Sequence, residues 1–167
     1  LMIVRKLKIP DNPEAGFGAV AADGFLLLNE KLLDRLRLKG SQILQQKEDA
    51  LESIRSRQAY FGALAKPPHM KNRKVLLVDD GLASGFTMEV AVRSARSQGA
   101  EEIVVAVPTS SMSAYRRLKP LTEKIICPDV SRLPIFAVAN AYGHWYDLEE
   151  KEVLALLQGI GKRGGVI

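Results

Sequence analysis

Two adjacent carboxylates and a loop of small and hydroxyl residues are the part of this sequence whose residue types most clearly suggest chemistry. Asp79 and Asp80 follow the apolar run Val75–Val78, which predicts a buried parallel strand, and residues 81–85 lead into the apolar-periodic helix Met88–Ser97. Open α/β sheets bind ligands at the carboxyl ends of their strands. A small-residue loop that opens a helix directs backbone N–H groups towards an anion. Because carboxylates also accept hydrogen bonds from a sugar diol, the pattern favours a ribose with a 5′-phosphate.

The segment from Val75 to Thr87 resembles the phosphoribosyl pyrophosphate (PRPP) signature of the type I phosphoribosyltransferases. It contains four hydrophobic residues, two acids, two small or hydrophobic residues and a hydroxyl-Gly-x-Thr loop. The resemblance implies that Asp79 and Asp80 hold the ribose hydroxyls, and that the loop wraps the 5′-phosphate through backbone N–H groups and two hydroxyls. The loop residues are Ala83, Ser84, Gly85, Phe86 and Thr87. The alternative is a strand–turn–helix unit that merely exposes its acids.

A basic segment near the start extends the resemblance. Ile3-Val4 followed by Arg5 and Lys6 is similar to the start of the flexible catalytic loop in orotate-type members of the family. That loop closes over the pyrophosphate, so its cations stabilise charge on the leaving group and closure removes bulk water. The resemblance therefore implies catalytic roles for Arg5, Lys6 and Lys8. A solvated loop with ordinary charges is the alternative.

A late aromatic segment resembles the hood that purine-type members place over the base. In Ile135–Tyr142, Phe136 would stack on the base, and backbone groups of Val138 would lie beside it. Such stacking contributes roughly 1–3 kcal/mol. Packing in the core is the rival role for Phe136. The residues that follow could line the pocket or form a surface clasp for the last helix: Tyr142, Trp145, Tyr146 and Asp147.

Over most of the chain the pattern is similar to a bacterial and archaeal group of "predicted phosphoribosyltransferases", whose name implies no particular base. The matching segments are Arg5–Leu7, Asn12–Glu14, Asp79–Gly85 and Ala137–Trp145.

Two departures from the family pattern affect the expected chemistry. Members carry a strand and a Gly-rich pyrophosphate loop upstream of the flexible loop, and no such segment precedes Leu1. We therefore expect this chain to lack the pyrophosphate loop, so that either a partner chain supplies it or the chemistry is impaired, which leaves open whether the chain turns substrate over. Ala83 stands where hypoxanthine–guanine enzymes carry an Asp, and alanine cannot transfer protons. Adenine-like, pyrimidine-like and other acceptors stay open.

Composition limits the class of protein and its partners. The 167 residues are 47% hydrophobic and 26% charged, as in globular proteins, and contain no apolar run near the ~18 residues of a membrane span. No secretory pattern opens the sequence, which favours the cytoplasm and no membrane partner. The net charge is +5, but the basic residues are dispersed without interleaved aromatics, so phosphorylated small molecules are favoured over nucleic acid. Cys127 is single and the two histidines are distant, so we expect no metal site from the protein alone.

Alternating strand and helix patterns predict one α/β domain of three layers, a mainly parallel open sheet flanked by helices, with a small hood element. This is the architecture that the resemblance implies. The predicted domain covers residues 1–158, with its core over 1–130 and its hood over about 131–147. Residues 159–167 are predicted to be a flexible tail.

The resemblance implies a phosphoribosyltransferase that transfers the 5-phosphoribosyl group of PRPP to a nitrogenous base and releases pyrophosphate. It implies a role in nucleotide metabolism and nucleobase salvage, Mg²⁺ carried mainly by PRPP, and a homodimer. The alternative is a catalytically impaired regulatory protein that binds PRPP or a nucleotide on the same fold. A hydrolase or lyase of phosphorylated sugars would need a base or metal cluster that the sequence does not show.

Overall fold

The computed structural model of the chain describes residues 1–10 and 12–162. The strands are β1 (Val4–Ile9), β2 (Asn12–Ala21), β3 (Leu26–Leu28), β4 (Lys74–Val78), β5 (Glu102–Ala106), β6 (Thr109–Ser111), β7 (Lys124–Ile126) and β8 (Asp129–Ser131). The α-helices are α1 (Glu30–Leu36), α2 (Gly40–Phe61), α3 (Phe86–Ser97), α4 (Met112–Leu118) and α5 (Glu150–Lys162). None of the described helices has the length and apolar character needed to cross a membrane.

The first part of the chain forms an antiparallel sheet covered by two helices. The strand order is β1-β2-β3, and a register shift in β1 falls between Leu7 and Lys8. Leu7 and Phe17 are fully buried and pack in one cluster with Ile54 of α2. This sheet therefore has its own core, formed between the strands and α2.

The second part is a parallel sheet with strand order β4-β5-β7. The continuous apolar residues of β4 and β5 favour strands, and α3 and α4 supply the crossovers that parallel pairing requires. Because side chains alternate between the two faces, Leu77 and Ile103 are buried against α3, whereas Leu76, Val78 and Ile126 are exposed on the other face.

Helix α3 joins the two sheets. Its Met88 and Val92 belong to the core of the parallel sheet. Its Phe86 and Val90 pack instead with Ala19 and Ala21, which lie on β2. This double contact places the loop that precedes α3 directly opposite β2.

The structure differs from the sequence prediction in several segments. Arg5, Lys6 and Lys8, which the sequence predicts in a loop after a short strand, lie instead within β1, because this segment pairs with β2. The sequence predicts an extended segment at Ile135–Val138, but the described chain instead has a single turn of 3₁₀-helix at Val138–Ala141. The three-residue strands β6 and β8 have no sequence signal, because they are polar; they pair in parallel, and Thr109 Oγ1 donates to Asp129 Oδ2 at 2.6 Å. Helix α5, which the sequence predicts over Glu149–Leu157, continues through Lys162 and so includes the first residues of the predicted tail. Residues 163–167 of that tail lie outside the described residues.

Candidate functional site

The two carboxylates lie where β4 ends, beside a cavity of about 450 Å³. The backbone N–H of Asp79 donates to the carbonyl oxygen of Ala106 at 3.4 Å, which holds the strand end against β5. The N–H of Asp80 donates to Asp79 Oδ1 at 3.0 Å. The cavity, called the loop cavity below, is lined by residues Asp79–Thr87 together with Lys6, Ala15, Gly16, Gly18 and Val138.

The carbonyl groups of the loop are anchored on the side of β6 and α4. The N–H of Ser111 donates to the carbonyl oxygen of Leu82 at 2.9 Å, and its Oγ donates to that of Ala83 at 2.6 Å. The Nε of Arg117 donates to the carbonyl oxygen of Ser84 at 3.2 Å. Because a trans peptide points its N–H opposite to its carbonyl group, these three bonds turn the N–H groups of residues 83–85 towards the loop cavity.

These turned N–H groups have the geometry to receive an anion. Within the described part of the chain, the backbone N–H groups of residues 83–87 have no acceptor. Gly85 is the N-cap of α3 with φ +77°, a left-handed conformation that glycine adopts without strain. Unpaired N–H groups at the start of a twelve-residue helix attract a phosphate through both hydrogen bonding and the helix dipole.

The acid pair is electrostatically perturbed. Burial raises the pKa of the Asp79 carboxyl, and the neighbouring charge of Asp80 raises it further. Burial also raises the pKa of Asp80, to which Asp147 contributes by charge repulsion while hydrogen bonds from the backbone N–H groups of Gly81 and Asp80 act against the shift. Hydroxyl donors that reach two crowded carboxylates stabilise their ionised form.

The raised pKa of Asp79 predicts a pH-dependent cost to stability. The folded protein takes up protons at a higher pH than the unfolded chain, so ionisation lowers the free energy of unfolding above the raised pKa and this cost disappears on acidification. We expect Asp79→Asn, which keeps an acceptor for the Asp80 N–H, to raise the melting temperature slightly at pH 7 and by less at pH 4. Thermal melts of both proteins at the two pH values provide the test. A variant less stable than the parent at pH 7, or a difference independent of pH, would contradict the assignment.

The three basic candidates divide between two adjacent cavities. Lys6 lines the loop cavity with the carboxylates. Arg5 and Lys8 line a second cavity of about 640 Å³ beside α2, and Lys6 and Thr87 contribute to both. The Nε of Arg5 donates to Ser53 Oγ at 3.1 Å, and burial lowers the pKa of Arg5, with Arg57 contributing by repulsion. All three cations therefore line the second cavity together with Thr87, at the end of the loop.

The hood segment contacts the site through Val138 and Tyr142. Val138 lines the loop cavity, and the Tyr142 hydroxyl donates to the carbonyl oxygen of Asp80 at 2.6 Å. The ring of Trp145 packs against Tyr142 with centroids 5.1 Å apart. Phe136 is half-buried and does not belong to the described residues that line the loop cavity. The structure therefore brings Val138 to the acid pair but leaves Phe136 outside the cavity wall.

Sequence reasoning missed the contribution of β2 and α4. Gly16 and Gly18 line the loop cavity, and a Cβ on Gly18 would lie 2.5 Å from the carbonyl oxygen of Leu27. Two glycines inside a strand pattern indicate close backbone approach, so Gly16-Phe17-Gly18 carried a usable signal. No sequence signal indicated Arg117, because it lies 33 residues from the Ser84 carbonyl group to which it donates.

The comparisons with known proteins identify the family and the fold of this chain. The structure superposes on the crystal structure of TT1426 from Thermus thermophilus with a TM-score of 0.70 and 30% sequence identity, covering 95% of this chain and 74% of that one. The family model of the phosphoribosyl transferase domain matches residues 26–132. The chain belongs to the phosphoribosyl transferase domain family, and the predicted α/β fold with a parallel sheet flanked by helices is confirmed.

Curated relatives agree on the family. The protein named "Putative phosphoribosyl transferase Rv0571c" from Mycobacterium tuberculosis strain H37Rv is 29% identical over 157 residues, as is its counterpart from strain CDC 1551. The match covers 94% of this chain and 35% of each relative, so the chain spans about a third of their length.

Proposed function

We propose that this chain binds PRPP in the loop cavity and transfers its 5-phosphoribosyl group to a nitrogenous base with release of pyrophosphate. The observation that carries the proposal is the cavity itself, which is lined by Asp79, Asp80 and Lys6 together with residues 83–87, called the phosphate loop below. The cavity of about 450 Å³ suits a phosphorylated ribose, because acceptors for the diol and donors for the 5′-phosphate both line it. The chain's membership of the phosphoribosyl transferase domain family supports the same ligand.

The proposed reaction is a displacement at C1′ of the ribose. A nitrogen of the base forms a bond to C1′, the bond from C1′ to the pyrophosphate oxygen breaks, and pyrophosphate leaves with the electron pair. The proton displaced from the base nitrogen passes to solvent. Asp79 and Asp80 orient the ribose, while Lys6 on the cavity wall, with Arg5 and Lys8 beside it, stabilises the charge that develops on pyrophosphate.

Magnesium is proposed to enter with the substrate. The described residues contain no cluster of three or more His, Cys, Asp or Glu side chains that would hold a metal. The carboxylates of Asp79 and Asp80 are nevertheless the hard oxygen donors that Mg²⁺ accepts alongside phosphate oxygens, so the site fits an ion carried by PRPP. When bound, Mg²⁺ would neutralise charge on the departing pyrophosphate.

The base is proposed to lie under the hood, beside Val138. Gly81 leaves room for this contact, since a Cβ there would lie 2.6 Å from Val138 Cγ1 and 3.1 Å from Thr109 Cγ2. Phe136 stays a candidate for stacking that would require the hood to move inwards. The predicted base contacts therefore depend on how closely the hood approaches the loop.

We expect Gly81→Ala to displace the hood and to reduce binding of the base more than binding of the sugar phosphate. In calorimetric titrations, affinity for nucleoside 5′-monophosphates should fall about tenfold more than affinity for ribose 5-phosphate, given the worth of base contacts. Gly143→Ala is the matched control, because a Cβ at this hood position meets nothing within 4 Å. Equal losses for both ligand classes would contradict a base site under the hood.

Turnover separates the proposed transferase from the regulatory alternative. The chain is incubated with PRPP, Mg²⁺ and a panel of purine and pyrimidine bases, and pyrophosphate release is followed. Release that depends on one class of base, and that is lost in Asp80→Ala, supports the transferase. PRPP binding without release favours the regulatory protein, whereas no binding contradicts both.

A homodimer and a cytoplasmic location also stay predictions, and light scattering tests the first.

A further inference from the structure

The guanidinium of Arg117 contacts three residues in the loop before α3 and in the first turn of that helix. Its Nε donates to the carbonyl oxygen of Ser84 at 3.2 Å, and its Nη1 contacts Glu89 Oε2 at 3.2 Å. Its central carbon lies 3.9 Å from the centroid of the Phe86 ring, within the range of a cation–π contact. All three partners lie within six positions of one another, in the loop or the first turn of α3.

Glu89 explains why an arginine is held at this point. Its side chain is only 6% exposed, and its other oxygen, Oε1, accepts from Arg93 Nε at 2.9 Å. A buried carboxylate needs paired donors, because removal of one partner leaves an uncompensated charge. Arg93 and Arg117 share that task, but only Arg117 also contacts the loop.

The bond to Ser84 sets the direction of the next N–H group. The peptide between Ser84 and Gly85 is planar and trans, so a carbonyl held towards α4 turns the Gly85 N–H the opposite way, into the loop cavity. The Gly85 Cα lies close against α4, where a Cβ would be 3.0 Å from the Cβ of Ala114 and 3.4 Å from Arg117 Cδ. The peptide has little room to rotate once Arg117 is in place.

We propose that Arg117 is a positioning residue that fixes the Ser84–Gly85 peptide so that its N–H donates to the 5′-phosphate. The Glu89 carboxylate holds the guanidinium in the orientation that this requires. The assignment rests on the proposed function, in that the loop must receive a phosphate. Its structural part, the orientation of one peptide by Arg117, stands without any ligand.

The test compares Arg117→Met with Arg93→Met and Arg116→Met. Arg93→Met removes the other partner of Glu89 without touching the loop, and Arg116 is an exposed neighbour on the same helix. Calorimetric titration with ribose 5-phosphate should show a loss of about tenfold for Arg117→Met, as expected for a donor orientation lost to a charged ligand. The two control variants should stay within about twofold of the parent. Arg117→Lys, which keeps a charge beside Glu89 but lacks the planar fork, should recover thermal stability more fully than affinity.

A second measurement needs no ligand. In ¹H–¹⁵N spectra of the free proteins, the Gly85 amide should shift in Arg117→Met and Arg117→Lys but not in Arg93→Met. An unmoved Gly85 amide, or an equal loss of affinity in Arg93→Met, would overturn the positioning role. If the parent protein binds neither ribose 5-phosphate nor PRPP with Mg²⁺, the proposed function fails while the amide spectra still decide the role of Arg117. Should Arg117→Met not fold, Arg117→Lys carries both measurements.

Discussion

Replacing Asp80 with alanine is expected to weaken binding of PRPP with Mg²⁺ by about 10- to 100-fold, the effect of losing one or two hydrogen bonds to a charged acceptor. The substitution leaves the tether of the hood in place, because the Tyr142 hydroxyl donates to the backbone carbonyl oxygen of Asp80 and not to its side chain. It does remove the acceptor of the Gly81 N–H. Asp79→Ala should cause a similar loss, and it also removes the acceptor of the Asp80 N–H.

Asp147 provides the matched control for this pair. It lies near enough to raise the pKa of Asp80, but it is absent from the described residues that line the loop cavity. Asp147→Ala therefore removes a nearby negative charge without removing an acceptor for the ribose, and affinity should stay within about threefold of the parent. Titration calorimetry measures all three variants. Unchanged binding in both Asp79→Ala and Asp80→Ala would remove the acid pair from the site.

The second large effect is expected at Gly85. An alanine there must adopt φ +77°, which costs about 1–2 kcal/mol for an L-residue. Its Cβ would also press on Ala114, 3.0 Å from the Cβ and 3.2 Å from the Cα of that residue. Because the loop can relieve this contact only by moving its N–H groups, affinity for ribose 5-phosphate should fall at least about tenfold.

Gly24→Ala separates the conformational cost from the loss of the anion site. Gly24 has φ +84°, and a Cβ there meets nothing within 4 Å. The variant should therefore lose stability by about the same 1–2 kcal/mol and keep its affinity for the sugar phosphate. Melting temperatures and titrations of the two variants are compared. A Gly85→Ala protein that binds as tightly as Gly24→Ala would show that the loop geometry is not needed for phosphate.

The strand and loop that carry the acids are closely predictable because their signals are local. The sequence predicts a strand over Val75–Val78, and β4 is observed at Lys74–Val78, since a continuous apolar run ends abruptly at two aspartates. Helix α3 begins two residues before its predicted start, at Phe86, because Gly85 provides the N-cap through its backbone conformation. Residues that begin or end a strand or helix in this way lie within a few positions of that element, so a local sequence pattern indicates them.

The parts that sequence could not predict depend on contacts between distant segments. The strands β6 and β8 are polar and three residues long, and they exist because each pairs with the other across the end of the parallel sheet. The hood lacks the extended segment expected at Ile135–Val138, since its position is set by Val138 against Gly81 and by the Tyr142 bond. The Arg117 contact with Ser84 likewise arises only when α4 packs behind the loop.

The most direct test of the central claim is a ¹H–¹⁵N titration of the chain with PRPP and Mg²⁺, read at the amides of the loop cavity. We expect the signals of residues 83–87 and of Asp79 and Asp80 to shift together and to saturate at one ligand concentration. Amides on the exposed part of α2, such as those of Gln45 and Glu48, should stay unchanged. A spectrum in which residues 83–87 do not move, or in which the shifts fall only outside the loop cavity, would contradict a phosphoribosyl site at this loop.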